Sequence, residues 1–256
     1  HWLKTGYLDR TDLNLRQWHF ELADNPNLDP EYIESLKREH SASKLVYQRM
    51  VLGLWVLAEG VIYDGLDLDI HGFDDDQAPK QFDALRIVVD YGTQNPFHAL
   101  LIGVRDGVSY VLDEWRYCGR DTGRQLTNGQ YVDALLKWRP DAQSLEVIVD
   151  PSASSFKAEL AARGFFNVTD ADNDVKEGIL TVSNRLTKGL LRIHRTRCPE
   201  LVKEMGTYAW DPKASLRGDD QPLKINDHGP DALRYHEFTL FGDVSGLAAL
   251  EALSAW

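Results

Sequence analysis

Hydrophobic and polar residues follow two different periods along the chain, and the change falls near residue 84. Upstream the pattern is helical. Asp29 and Pro30 suit the cap and first turn of a helix over residues 31–40, with Tyr32, Ile33 and Leu36 on one face. A second helix is expected over 43–52, followed by the apolar stretch 53–63. Downstream, residues 85–90, 97–104 and 108–115 read as three consecutive strands. A turn at 92–96 joins the first two, and Asp106-Gly107 marks a tight hairpin between the second and third. Helices over 126–138, 152–163, 175–187, 199–205 and 229–240 then alternate with strands over 145–149, 165–168 and 190–194. Hairpin-linked strands followed by alternating helix and strand predict an α/β sandwich around one mixed sheet.

Composition adds limits. Acids outnumber bases 40 to 28, for a formal charge of −12, the wrong sign for a protein that coats nucleic acid along its whole surface. The two cysteines, Cys118 and Cys198, lie far apart with no CxxC, which excludes a disulfide scaffold and a cysteine-rich zinc site and fits a reducing compartment. No apolar run approaches the roughly 20 residues that cross a bilayer, so no membrane partner is expected. The opening His1-Trp2-Leu3-Lys4 has neither a starting methionine nor a signal-peptide core, so the chain is expected to begin inside a longer protein. Seven aspartates crowd residues 64–83 against a single lysine, Lys80, without the ligand spacing of an EF-hand. They read as a solvated acidic linker over 64–84, dividing a partial segment, 1–63, from a main domain, 85–256.

Three aspartates stand out by position. Asp90 ends the apolar run Ile87-Val88-Val89, and Asp150 ends Val147-Ile148-Val149. A charge directly after a buried strand lies at the carboxyl edge of the sheet, where open α/β sheets bind ligands. Asp231 sits in the first turn of the final helix, where the helix dipole favours an acid. If the two strands are neighbours and the helix covers them, three carboxylates converge. Such a cluster repels itself without cations, and all-oxygen ligation suits Mg²⁺ or Mn²⁺.

The strings Ile87-Val88-Val89-Asp90-Tyr91-Gly92, Val149-Asp150-Pro151-Ser152 and Asp227-His228-Gly229-Pro230-Asp231-Ala232-Leu233-Arg234-Tyr235 resemble the nuclease domain of tailed-bacteriophage terminase large subunits. Asp24-Asn25-Pro26, Gly53-Leu54-Trp55 and Glu59-Gly60-Val61-Ile62-Tyr63 resemble the end of the same family's packaging ATPase and its linker. The resemblance implies an RNase H-like three-layer sandwich and a metal-dependent endonuclease that cuts concatemeric double-stranded DNA with two divalent ions, Mg²⁺ or Mn²⁺. It implies that Asp90, Asp150, Asp231 and His228 are the catalytic and metal-site residues, the aspartates ligating the ions and His228 supporting the second. Asn173 and Asp174 match a segment near the active site, with a helix cap as the plainer role. The portal protein and the small terminase subunit are the implied partners, and the host cytoplasm the implied location.

No GxxxxGK[ST] occurs, so ATP hydrolysis is not expected of this chain. Arg185, Lys188, Arg192, Arg195 and Arg197 form the one marked basic stretch and are the expected DNA contacts. A resolvase- or transposase-type nuclease and a non-catalytic portal-docking module are the alternatives.

Overall fold

The computed structural model describes residues 4–8, 10–41, 44–56, 58–92 and 95–242. Its strands are β1 (Gly72–Phe73), β2 (Ala84–Asp90), β3 (Phe97–Arg105), β4 (Val108–Tyr117), β5 (Glu146–Val149), β6 (Val168–Asp170) and β7 (Leu191–His194). They form one sheet in the order β1-β7-β4-β3-β2-β5-β6. Only β3 runs against the rest, so the other strands share one carboxyl edge. The longer helices are α1 (Pro30–His40), α2 (Asn128–Trp138), α3 (Ser154–Ala162), α4 (Val175–Thr187), α5 (Pro199–Thr207) and α6 (His228–Phe241).

Alternation along the strands builds two cores. Ile87, Val89, Val147 and Val149 pack with Tyr131 and Leu135 of α2 and Phe156 of α3. Val88, Leu100 and Ile148 face the other way, onto Val182 of α4, Leu201 of α5 and Leu233 of α6. Helices therefore cover both faces, the expected three-layer α/β sandwich. The same period of two sends Asp90 and Asp150 to the second face, since each lies two residues beyond Val88 or Ile148.

Local chemistry fixes the boundaries. Asp106 and Gly107 both adopt left-handed backbone, φ 50° and 76°, as a tight hairpin turn demands. Thr127 and Gln130 close a reciprocal capping box on α2, and Asp174 caps α4 through the Glu177 amide at 3.0 Å. The helix expected over 43–52 is a short turn, Lys44–Val46, continued by a wider π-type turn, Tyr47–Val51. Its first residue lies outside the described residues, as do residues 93 and 94 of the turn expected at 92–96. The sixth strand starts at Val168 rather than 165, because Phe165 is drawn into the core and the parallel ladder begins where Val168 meets Val147.

The acidic run carries more structure than a linker. Asp67 caps a helical turn, Leu68–His71, and β1 then pairs with β7 at the edge of the sheet. Asp74 binds Arg195 at 2.8 Å, and Asp75 engages Arg197 and His194. Ile62 and Tyr63 belong to the second core, with Tyr63 stacked on Tyr208 at 5.6 Å.

The basic stretch divides. Arg185, 7% exposed, binds Glu237, the carbonyls of Gly107 and Leu190, and Ser109, and its guanidinium lies 3.6 Å from the Phe241 ring centre. It is a buried strut and cannot be a DNA contact. Beside the β3–β4 hairpin, it also lies at the sheet edge opposite Asp90. Lys188, between α4 and β7, lies at that same far edge. Arg192 donates to the Ile70 carbonyl at 2.6 Å. Arg195 and Arg197 follow the carboxyl end of β7, but three strand spacings, about 14 Å, from β2.

Removing one partner of a buried ion pair strands the other charge. Arg185→Ala should lower stability in urea titration by about 3–5 kcal/mol through its orphaned Glu237. Unchanged DNA affinity in the folded variant is the matching expectation.

Candidate active site

Helix α6 places the third aspartate. It packs on β2, β3, β5, α4 and α5. Asp231 therefore sits, 6% exposed, above the carboxyl ends of β2 and β5, which are parallel neighbours. The Tyr235 hydroxyl joins the other two, lying 2.8 Å from Asp150 Oδ2 and 3.3 Å from Asp90 Oδ1. Burial and the nearby Asp90, Asp231 and Asp150 carboxylates push its pKa far up, so it stays a phenol and donates.

Each carboxylate has its own donors. Asp90 Oδ2 lies 2.7 Å from His228 Nδ1. Asp150 accepts from the Ser152 amide at 2.7 Å, from the Ser152 hydroxyl and, at 3.5 Å, from Asn173 Nδ2. Asp231 Oδ1 receives Arg234, while Oδ2 lies 3.3 Å from Lys224 Nζ, which is equally far from Asp227. The mutual repulsion expected of three bare carboxylates is thus offset by nearby cations and donors.

Their acidities differ accordingly. Burial raises the Asp90 pKa, Asp231 and Asp227 add to it, and the His228 bond opposes. Burial alone would raise Asp150, but the Ser152 and Tyr235 donors prevail and hold it below the usual carboxylate range. Burial would lower His228, yet the Asp90 bond and the charges of Asp90, Asp227 and Glu204 carry it upward. His228 thus reaches Asp90 through Nδ1, while Nε2 faces Asp227 at 3.8 Å.

A second buried charge group supports α6 from below. In one row across the sheet, Asp90 pairs with His98 and His98 with Arg116. His98 bonds Glu114 at 2.9 Å and lies 3.4 Å from Glu204. Glu114 caps α5 through the Glu200 and Leu201 amides, and Glu204 accepts the Gly229 amide of α6 at 2.6 Å. Arg116 Nε lies 3.3 Å from Glu204, an ion contact without hydrogen-bond geometry.

Asp90, Asp150, Asp231 and His228 therefore come together, and Asn173 joins them while Asp174 serves as a cap. The sequence reading missed Tyr235, Arg234, Lys224, Glu204 and His98. The signal for two of them was present: Arg234 and Tyr235 follow Asp231 at helical spacings of three and four, which share a face.

Burial would raise the Glu204 pKa, but the His98 bond and charge outweigh it and leave it lowered. A depressed carboxyl contributes stability above its unfolded pKa, about 4.3, and loses it as pH falls through the lower folded value. Glu204→Gln should cost about 3–5 kcal/mol near pH 7. It should also flatten the fall in stability as pH drops below the unfolded carboxyl value of about 4.3, read from urea titrations across the acid range. An equally steep acid limb in the variant would show that Glu204 does not carry it.

No family model and no curated protein matches the chain. Solved structures do. The large terminase of a thermophilic bacteriophage, in complex with ATP-γ-S, is 40% identical with a TM-score of 0.80, over 95% of this chain and 61% of that one. The chain thus spans less than two thirds of that relative's length. The nuclease domain of the P22 large terminase is 19% identical with a TM-score of 0.57, over 72% of this chain and 94% of that domain. The SPP1 large terminase nuclease domain with bound Mn is 18% identical, TM-score 0.50, over 72% and 98%. At such identities these two show the fold alone, here the RNase H-like one. With identity and fold agreeing over nearly its whole length, the chain belongs to the bacteriophage large terminase family and carries the RNase H-like fold of that family's nuclease domains.

Proposed function

We propose that this chain is a metal-dependent endonuclease that cuts concatemeric double-stranded DNA during viral packaging in the host cytoplasm, with the portal and small terminase subunit as partners. The observation that carries the reading is the Tyr235 hydroxyl, within 3.3 Å of both strand-end carboxylates. It brings Asp90 and Asp150 to one point at the sheet edge, open to neither strand alone.

The donor set fits hard cations. It offers carboxylate oxygens in excess over the basic groups that touch them, and it matches the chemistry of Mg²⁺ and Mn²⁺. Among the described residues no group of three His, Cys, Asp or Glu side chains stands ready to hold an ion as arranged. Completing a site therefore requires Asp231 to give up Lys224, whose side chain is 65% exposed and free to swing away. Asp90, Asp150 and Asp231 would be the ligands. Divalent ions held there would supply an activated water and stabilisation of the departing oxygen. His228 binds Asp90 and orients it. Tyr235 lies between the pair of carboxylates, 2.8 Å from Asp150 and 3.3 Å from Asp90, and the Ser152 donors help hold Asp150 ionised. Lys224, once released, is a cation placed to meet a DNA phosphate. Of the expected DNA contacts, Arg195 and Arg197 remain candidates at the correct edge, once freed from Asp74 and Asp75. Among the described residues no helix is long and apolar enough to cross a membrane.

Supercoiled plasmid should become nicked and then linear with Mn²⁺ or Mg²⁺, and a chelator should stop it. Asp90→Asn and Asp150→Asn should fall to background. Plasmid left intact by metal-loaded protein of proven fold would remove the nuclease reading. Preferential cutting of a four-way junction over duplex would reassign it to a resolvase.

A further inference from the structure

We propose that Arg234 is the positioning residue of the acid cluster, a buried guanidinium that locks Asp231 to the Asn173–Asp174 backbone so that Asp150 and Asp231 meet metal in one fixed geometry. This rests on the nuclease reading above and adds a residue to it.

Arg234 is 2% exposed and stands among the largest fully buried side chains of the described residues. Its Nε and Nη2 lie 3.3 and 3.1 Å from Asp231 Oδ1. Its Nη1 donates to the Asn173 and Asp174 carbonyls at 2.8 and 2.9 Å. Asn173 in turn reaches Asp150. The guanidinium carbon stands 4.8 Å from the centre of the Tyr235 ring, whose hydroxyl serves Asp90 and Asp150. One rigid planar cation thus touches a support of each aspartate. A lysine carries its donors on a single nitrogen and lacks the spread of the fork, which sets Nε and Nη2 on the acid and Nη1 on the two carbonyls.

The neighbouring helix makes room for it. A Cβ on Gly178 of α4 would lie 2.5 Å from Arg234 Cγ and 2.7 Å from Cδ. The glycine is the gap through which the arginine passes. Arg234 also differs from Lys224, the other cation on Asp231. Lys224 is mostly exposed and can leave, whereas Arg234 holds Oδ1 and leaves Oδ2 for an incoming ion.

Two variants test the assignment from opposite sides. Arg234→Lys keeps the charge and loses the fork. Gly178→Ala touches no carboxylate and crowds only the arginine stem. Both should weaken Mn²⁺ binding by about 10–100-fold, the range for a group that orients metal ligands, in titrations followed by the electron paramagnetic resonance of free Mn²⁺. The Mn²⁺ concentration for half-maximal plasmid cleavage should rise in parallel, while the rate at saturating metal recovers toward wild type. Combined with Arg234→Gln, Gly178→Ala should add little further loss, since its effect passes through the arginine. A merely structural arginine would lower the melting temperature and leave Mn²⁺ affinity of the folded protein unchanged; that result in Gly178→Ala overturns the proposal. Wild-type protein that neither binds Mn²⁺ nor cleaves would defeat the nuclease reading and this one with it. Wild-type binding and cleavage with unaltered variants would defeat this one alone.

Discussion

The controlling constraint is the confinement of like charges. Asp90, Asp150 and Asp231 are held against one edge of a sheet, where low dielectric makes their repulsion costly. The structure answers with a cation or strong donor for each: His228 on Asp90, the Ser152 amide and hydroxyl on Asp150, and Arg234 with Lys224 on Asp231. Most of these answers come from α6 or the turn before it. Its first turn also supplies the positive end of a helix dipole beside Asp231. Packing of one helix on β2, β3 and β5 therefore sets both the charge balance and the geometry of the acids.

That helix is held in turn by a polar platform unusual for a core. Buried Glu204 and His98, with Glu114 and the partly buried Arg116, form a set of two acids and two bases, and its carboxylates cap α5 and receive the α6 backbone. Taking such ionisable groups out of water is justified energetically only when each is paired. Two of its members, His98 and Arg116, stand in the same row of the sheet as Asp90, so support for the acid cluster is continuous with the strand register.

Much of this was legible in sequence because strands and capped helices carry local signals. The apolar run Ile87-Val88-Val89 closed by Asp90 gives both the strand and the sheet edge that its aspartate takes, and Asp106-Gly107 gives the hairpin. Less local features were hidden. A two-residue strand, Gly72–Phe73, has no period to detect and lay within an acidic run whose charges are matched by distant arginines. Arg185 and Arg195 look alike in a count of basic residues, yet one is a buried strut and the other lies at the rim; only the course of α4 and β7 separates them. His98 faces Asp90 through the register of an antiparallel pair, and Glu204 belongs to a helix whose pattern gives no sign of a buried acid.

The sheet ends in very short strands, two residues in β1 and three in β6. An open sheet of this width would otherwise present two ladders of unpaired amides and carbonyls to any passing chain. Strands so brief offer an intruder only a few hydrogen bonds, a poor template for the edge-to-edge pairing that drives aggregation. Two copies of this chain thus gain little by meeting along these edges.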